Sequence, residues 1–234
     1  MSRTLAVLLL ASASIFASAP ATIAFVETPA ATHQAPATIH NRSMKIDGVN
    51  VFYREAGPAD GPVVVLLHGF PTSSHMFRNL IPLLADRYRV IAPDYPGFGQ
   101  SDAPDHTKFE YSFGHYADIV DTLLTKLGAT KYSMYVMDYG APVGYRLALK
   151  YPDRVTGLIV QNGNTYDEGI RDFWNPIRSY WRSGAKKDRE ALSVLVAPET
   201  TKFQYTDGVK DLTRISPDNW VHDQALLDRP GNKD

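Results

Sequence analysis

KYSMYVMDYGAPVGYRLAL, residues 131–149, is the stretch from which the rest of the chain is read. Residues 132–137 are apolar, aromatic and β-branched, the composition of a short buried strand. From Gly140 to Leu149 apolar residues recur at helical spacing, so a helix follows almost at once. Only Asp138 and Tyr139 lie between, with Gly140 relieving the crowding. A strand that becomes a helix within about two residues forces the turn residue into a strained, exposed conformation and lifts its side chain beside free helix-terminal amides. That is the geometry of a nucleophile elbow, and the side chain lifted here is a carboxylate. Asp is also a favoured helix N-cap, and the local sequence leaves both readings open.

Outward from this unit the pattern repeats. Residues 44–56 read as two short strands around the turn pair Asp47-Gly48. Residues 63–67, VVVLL, suit a strand buried on both faces, and they run into the loop His68-Gly69-Phe70-Pro71. Met76, Phe77, Leu80, Ile81 and Leu84 predict a helix over 74–86, capped by Ser73 or Ser74. Residues 88–92 are a second buried strand, followed by the Gly/Pro loop 94–102. A helix over 112–127 ends at Gly128, and 155–160 is a further buried strand closed by Asn162-Gly163. Alternation of strand and helix at short loops predicts an α/β fold with a parallel sheet covered on both faces.

After Asn164 the pattern changes. Residues 167–183, 186–196 and 217–228 look helical and no buried strand accompanies them. Aromatics accumulate: Tyr166, Phe173, Trp174, Tyr180, Trp181, Phe203, Tyr205 and Trp220. Such an insertion reads as a lid over an apolar pocket, with some of these rings serving as ordinary core of a helical subdomain.

Composition sets the bounds. A chain of 234 residues, 44% hydrophobic and 21% charged, suits a soluble α/β domain with a sizeable core. A net charge of −1 with scattered basic residues argues against nucleic acid or an anionic membrane as partner. The absence of cysteine excludes disulfides, thiolate metal sites and a Cys nucleophile. Met1-Ser2-Arg3 precedes an apolar, small-residue run with Leu8-Leu9-Leu10 and A-x-A-like options ending at Ala19, Ala21 or Ala24. This predicts a leader over 1–24 and a periplasmic or secreted mature protein; a retained hydrophobic anchor is the alternative, for which the run is short and rich in Ser. Residues 25–42 suit a flexible lead, 43–164 the core and 165–234 the lid.

Three motifs now stand in order: HGFP at 68–71, DYPGFGQSD at 94–102 and VMDYGAP at 136–142. Together they resemble the α/β-hydrolase fold family, and more narrowly its epoxide hydrolase and haloalkane dehalogenase branch, whose nucleophile is Asp. The likeness is strong over residues 44–164 and looser over the lid. It implies a mostly parallel, doubly wound sheet with a helical lid, and Asp138 as nucleophile. A carboxylate can displace at a saturated carbon and leave an alkyl-enzyme ester. Water then attacks the ester carbonyl, so the oxyanion develops on Asp138 itself and needs N–H donors. The resemblance assigns these to the backbones of Phe70 and Tyr139. It makes His68 a support of the oxyanion loop, counted with Phe70, Tyr139, Trp174 and Trp181 toward the substrate, and Asp94 a structural loop residue. His75, His106, His115 and His222 match no family position.

The branches differ at the leaving group. Dehalogenases typically carry Asn and Trp where this chain has Phe70 and Tyr139, so their halide site is missing at both positions. HGFP is favoured among epoxide hydrolases, which protonate the opening oxygen with lid tyrosines; Tyr180 and Tyr205, then Tyr166, are the lid candidates. Tyr139 departs from the usual Trp.

In this family an acid and a His follow the lid. The sequence stops at Asp234, inside or just after the lid, so the C-terminal strands, the acid and the water-activating His are expected to be missing and turnover is doubtful. The resulting expectation is an epoxide hydrolase-like enzyme acting on small apolar substrates and water. A dehalogenase-like hydrolase and a catalytically dead ligand-binding module are the alternatives. No metal, organic cofactor, nucleic-acid partner or stable membrane anchor is expected, and nothing bears on oligomeric state.

Overall fold

Asp47 and Gly48 both take positive φ, 50° and 80°, and turn β1 (His40–Ile46) back onto β2 (Val49–Ala56) as an antiparallel hairpin. Asp-Gly suits such a turn because both central positions need left-handed backbone. The computed structural model describes residues 37–233; the expected leader and residues 25–36 of the lead lie outside them. Residues 40–42, assigned to the lead, belong to β1.

Four strands follow as the sequence pattern predicts: β3 (Val63–Leu67), β4 (Arg89–Pro93), β5 (Tyr132–Met137) and β6 (Val155–Gln161). The sheet order is β1-β2-β4-β3-β5-β6, and β4, β3, β5 and β6 run parallel. Alternation along β3 divides the core. Val65 and Leu67 face α2 (Phe113–Lys126) and α3 (Gly140–Lys150), while Val64 and Leu66 join Phe77, Ile81 and Ala85 on the other face. Helix α2 buries Tyr116, Ala117, Ile119, Val120, Leu123 and Leu124, a stripe at helical spacing. Ser112 caps it by accepting from the His115 N–H, and Gly128, at φ 71°, stops it.

Two expectations fail here for physical reasons. The helix over 74–86 is instead a 3₁₀ turn, Ser74–Phe77, and one short turn of α-helix, α1 (Ile81–Leu84). Pro82 lacks an N–H and its ring clashes with the carbonyl four residues back, so it can open a helix but not continue one. Ser73, not Ser74, supplies the cap. β6, expected to be buried, is the outermost strand of the described sheet, and among the described residues Leu158, Ile159 and Val160 are exposed.

Beyond β6 the chain is helical: α4 (Asn175–Ser183), α5 (Lys186–Ala191), α6 (Pro198–Thr206) and α7 (Asp218–Leu227), with 3₁₀ turns between. Helix α6 has no counterpart in the sequence reading, although Pro198 in its first turn and Glu199 beside it are start signals. No described helix is long and apolar enough to cross a membrane.

Asp94, fully buried just after β4, joins two loops. Its Oδ1 accepts from the Ser74 N–H at 2.7 Å and its Oδ2 from the Gln100 N–H at 2.8 Å. Asp94→Ala orphans both donors, each costing ~1–3 kcal/mol. Urea unfolding should therefore show a loss of about 2–6 kcal/mol; a loss under about 1 kcal/mol would mean that the loops hold without it.

Candidate active site

The turn between β5 and α3 is strained. Asp138 has φ 45°, in the left-handed region that costs a side chain ~1–3 kcal/mol. Two glycines permit the approach of β3 and its loop. A Cβ on Gly140 would lie 2.3 Å from the Leu67 carbonyl oxygen, and one on Gly69 would lie 2.4 Å from the Asp138 Cβ. The loop after β3 therefore presses directly on the Asp138 side chain.

That contact organises the carboxylate. The Phe70 and Tyr139 N–H groups both donate to Oδ1, each at 2.7 Å. Oδ2 accepts no hydrogen bond from a described residue. The N-cap reading fails, because Tyr139 occupies that position without a side-chain cap and one donor comes from the distant loop. Burial raises the Asp138 carboxyl above its ordinary range, and the two N–H donors offset only part of that rise.

His68 is fully buried, and the backbone uses both of its ring nitrogens. Nε2 accepts from the Tyr95 N–H at 3.2 Å, which leaves the proton on Nδ1 to donate to the Gly69 carbonyl at 3.0 Å. Burial lowers its pKa and keeps it neutral. It holds the loop and is not among the cavity's lining residues, contrary to the expectation that it touches a substrate.

A cavity of about 1030 Å³ is lined by Phe70 and Tyr139, the two residues whose N–H groups hold Asp138, although Asp138 itself is not among its lining residues. Phe70, Phe98, Tyr111, Phe113, Tyr116 and Tyr139 line it from the core, and Trp181 and Leu227 from the lid. Of the lid residues proposed from sequence, Trp181 reaches the cavity; Trp174 packs behind it at 6.0 Å between ring centroids. Tyr180 does not line the cavity. Tyr205 donates its hydroxyl to Asp223 on α7, with the Thr72 hydroxyl beside the pair. Neither is placed as a lid acid, and Tyr166 is exposed.

Sequence reading missed Phe98, Tyr111, Phe113, Tyr116 and Leu227 as walls. The only signal for the four aromatics was aromatic content in and after the 94–102 loop, and Leu227 had none. It also missed the polar contact between α7 and the segment after β3: His222 packs against His75, tilted, at 4.2 Å between ring centroids, and Arg78 bonds Asp218 and Asn219. Among the described residues no three His, Asp or Glu side chains form a metal-ligand group.

With this geometry in hand, comparison with known proteins is specific. Residues 62–213 match the sequence profile of the alpha/beta hydrolase fold family. An uncharacterized hydrolase of Saccharomyces cerevisiae is 48% identical over 192 residues, 80% of this chain and 66% of its own. A haloalkane dehalogenase of Mycolicibacterium paratuberculosis is 41% identical over 116 residues, 49% of this chain and 38% of its own. The chain thus spans just under two thirds of the first relative and about two fifths of the second. Among solved structures, the epoxide hydrolase CorEH superposes with a TM-score of 0.66 at 26% identity, covering 84% of this chain and 70% of that one.

The raised Asp138 pKa has a consequence for stability. A carboxyl whose folded pKa lies above its unfolded value favours the fold when protonated; that contribution is full below the unfolded value of 3.8 and is lost as pH rises through the folded value. At pH 7 the buried charge is a net cost. Asp138→Asn keeps the acceptor and tolerates the positive φ, so it should raise the unfolding midpoint at pH 7, with the gain shrinking as the pH falls through the raised folded pKa towards 3.8 and levelling off below it. A variant less stable than wild type at pH 7 would contradict this.

Proposed function

We propose, for a chain that belongs to the alpha/beta hydrolase fold family, that Asp138 is the nucleophile of an epoxide hydrolase-like reaction on apolar substrates. The carrying observation is the division of labour within one carboxylate: Oδ1 sits between two N–H donors while Oδ2 accepts from no described residue, and both donor residues, Phe70 and Tyr139, line an aromatic cavity. In this reading Oδ2 attacks an epoxide carbon, the ring C–O bond breaks and the ring oxygen takes a proton. An alkyl ester of Asp138 results. Water adds to the ester carbonyl, and the negative charge falls on Oδ1, where the Phe70 and Tyr139 N–H groups already point. Each such donor is typically worth roughly 10²–10³ in rate. Collapse expels the diol with Oδ2 as one of its oxygens.

The second half of the cycle needs a base to activate water, and no described histidine bonds Asp138. The ester is therefore the species to look for. A dehalogenase-like reaction shares the same attack with halide as leaving group; the Mycolicibacterium relative favours it, and the Phe70 and Tyr139 side chains, which carry no N–H, do not. Export to the periplasm or medium through residues 1–24 belongs to the same proposal, and its support is the Arg3, Leu8-Leu9-Leu10 and Ala19–Ala24 pattern alone.

The test is intact-mass analysis of the folded chain after incubation with an aryl epoxide. Wild type should gain the mass of one epoxide, mapped to Asp138, and Asp138→Asn should gain none. Because the ionised form attacks, the rate should fall as the pH drops through the Asp138 pKa, at a midpoint above 3.8. A folded wild-type chain that takes up no label would leave the ligand-binding module as the reading.

A further inference from the structure

Opening an epoxide requires a proton at the departing oxygen, and the lid tyrosines expected to supply it are not at the cavity. Three tyrosines do line it: Tyr111, Tyr116 and Tyr139. Tyr111 spends its hydroxyl proton on the Pro104 carbonyl at 2.5 Å, and Tyr116 on the Pro96 carbonyl at 3.1 Å. No described residue hydrogen-bonds the Tyr139 hydroxyl. Tyr95 also has an unpartnered hydroxyl, but it is fully buried and does not line the cavity.

Resting on the Asp138 reading, we propose that the Tyr139 side chain is the acid that protonates the leaving oxygen. One residue then serves the reaction twice, its N–H on Oδ1 and its phenol on the substrate. The ring is held for this by Phe113 at 5.0 Å, Phe70 at 5.8 Å and Phe98 at 6.2 Å between centroids. The phenol lies within electrostatic reach of the Asp138 carboxylate, and Tyr139 lines the cavity.

The step balances. The Oδ2–carbon bond forms, the ring carbon–oxygen bond breaks, and its electron pair stays on the ring oxygen, which takes the Tyr139 proton. The phenolate recovers a proton from the water consumed in the second half-reaction. Burial and the neighbouring charge of Asp138 push the Tyr139 pKa up to about 12. Alkylation cancels that charge as the proton leaves, so the acid strengthens when it is needed.

The experiment compares two probes on the 234-residue chain by intact mass: an aryl epoxide, whose oxygen needs a proton, and the matching benzylic bromide, whose leaving group does not. In Tyr139→Phe the ratio of epoxide to bromide labelling should fall on the order of 10²–10⁴. An unchanged ratio overturns the proposal, as does a wild type that the bromide labels and the epoxide does not. Labelling by neither probe removes the Asp138 reading, and this inference falls with it. Should the variant not fold, the wild type in heavy water decides: slowing of the epoxide reaction alone supports a proton in flight, and equal effects on both probes overturn it.

Discussion

The convergence of two backbone N–H groups on one oxygen of Asp138 is the constraint on which the rest depends. One donor belongs to the residue that caps α3 and the other to the loop after β3, and both reach Oδ1 at 2.7 Å. For this, β3 and β5 must be adjacent and parallel, so that their carboxyl ends open at the same edge. Gly69 and Gly140 must lack a Cβ, and His68 must be buried and neutral so that it ties the Tyr95 backbone to the Gly69 carbonyl. Asp94 holds the neighbouring loops in the same manner.

The cost is visible in the same atoms. Asp138 sits at positive φ, and its carboxylate is buried enough that the two donors do not restore an ordinary pKa. Strain and unfavourable burial concentrated on one side chain are what sites built for chemistry tolerate.

The lid docks on the core through polar groups as much as apolar ones. Arg229, just beyond α7, donates to the Gly97 and Gly99 carbonyls, and Asn232 to Gly97. Asp223, nearly inaccessible to solvent, is pushed by burial up to about 6, while burial and His222 press His75 down to about 4. Both shifts reflect the cost of charge in the seam. This packing also explains why Tyr205 serves α7 and not the cavity.

Much of this was legible in the chain. Strand β5, the elbow and α3 follow from composition and spacing around Asp138, because hydrophobic periodicity and two glycines are local properties. The Asp47-Gly48 hairpin and the ends of α2 followed for the same reason. Pro82 was equally local evidence, overlooked in reading a helix through it. Other features depended on distant partners. Burial of β6 depends on what lies against it, which strand composition alone does not encode. Whether a lid tyrosine meets a substrate or a buried Asp depends on how α6 and α7 pack, which no spacing within either helix encodes. The sequence by itself determined the fold class and the identity of the strained carboxylate. Only the tertiary structure decided which hydroxyl at the cavity remained unpaired, because that is settled by carbonyls and rings brought together from loops far apart in the chain.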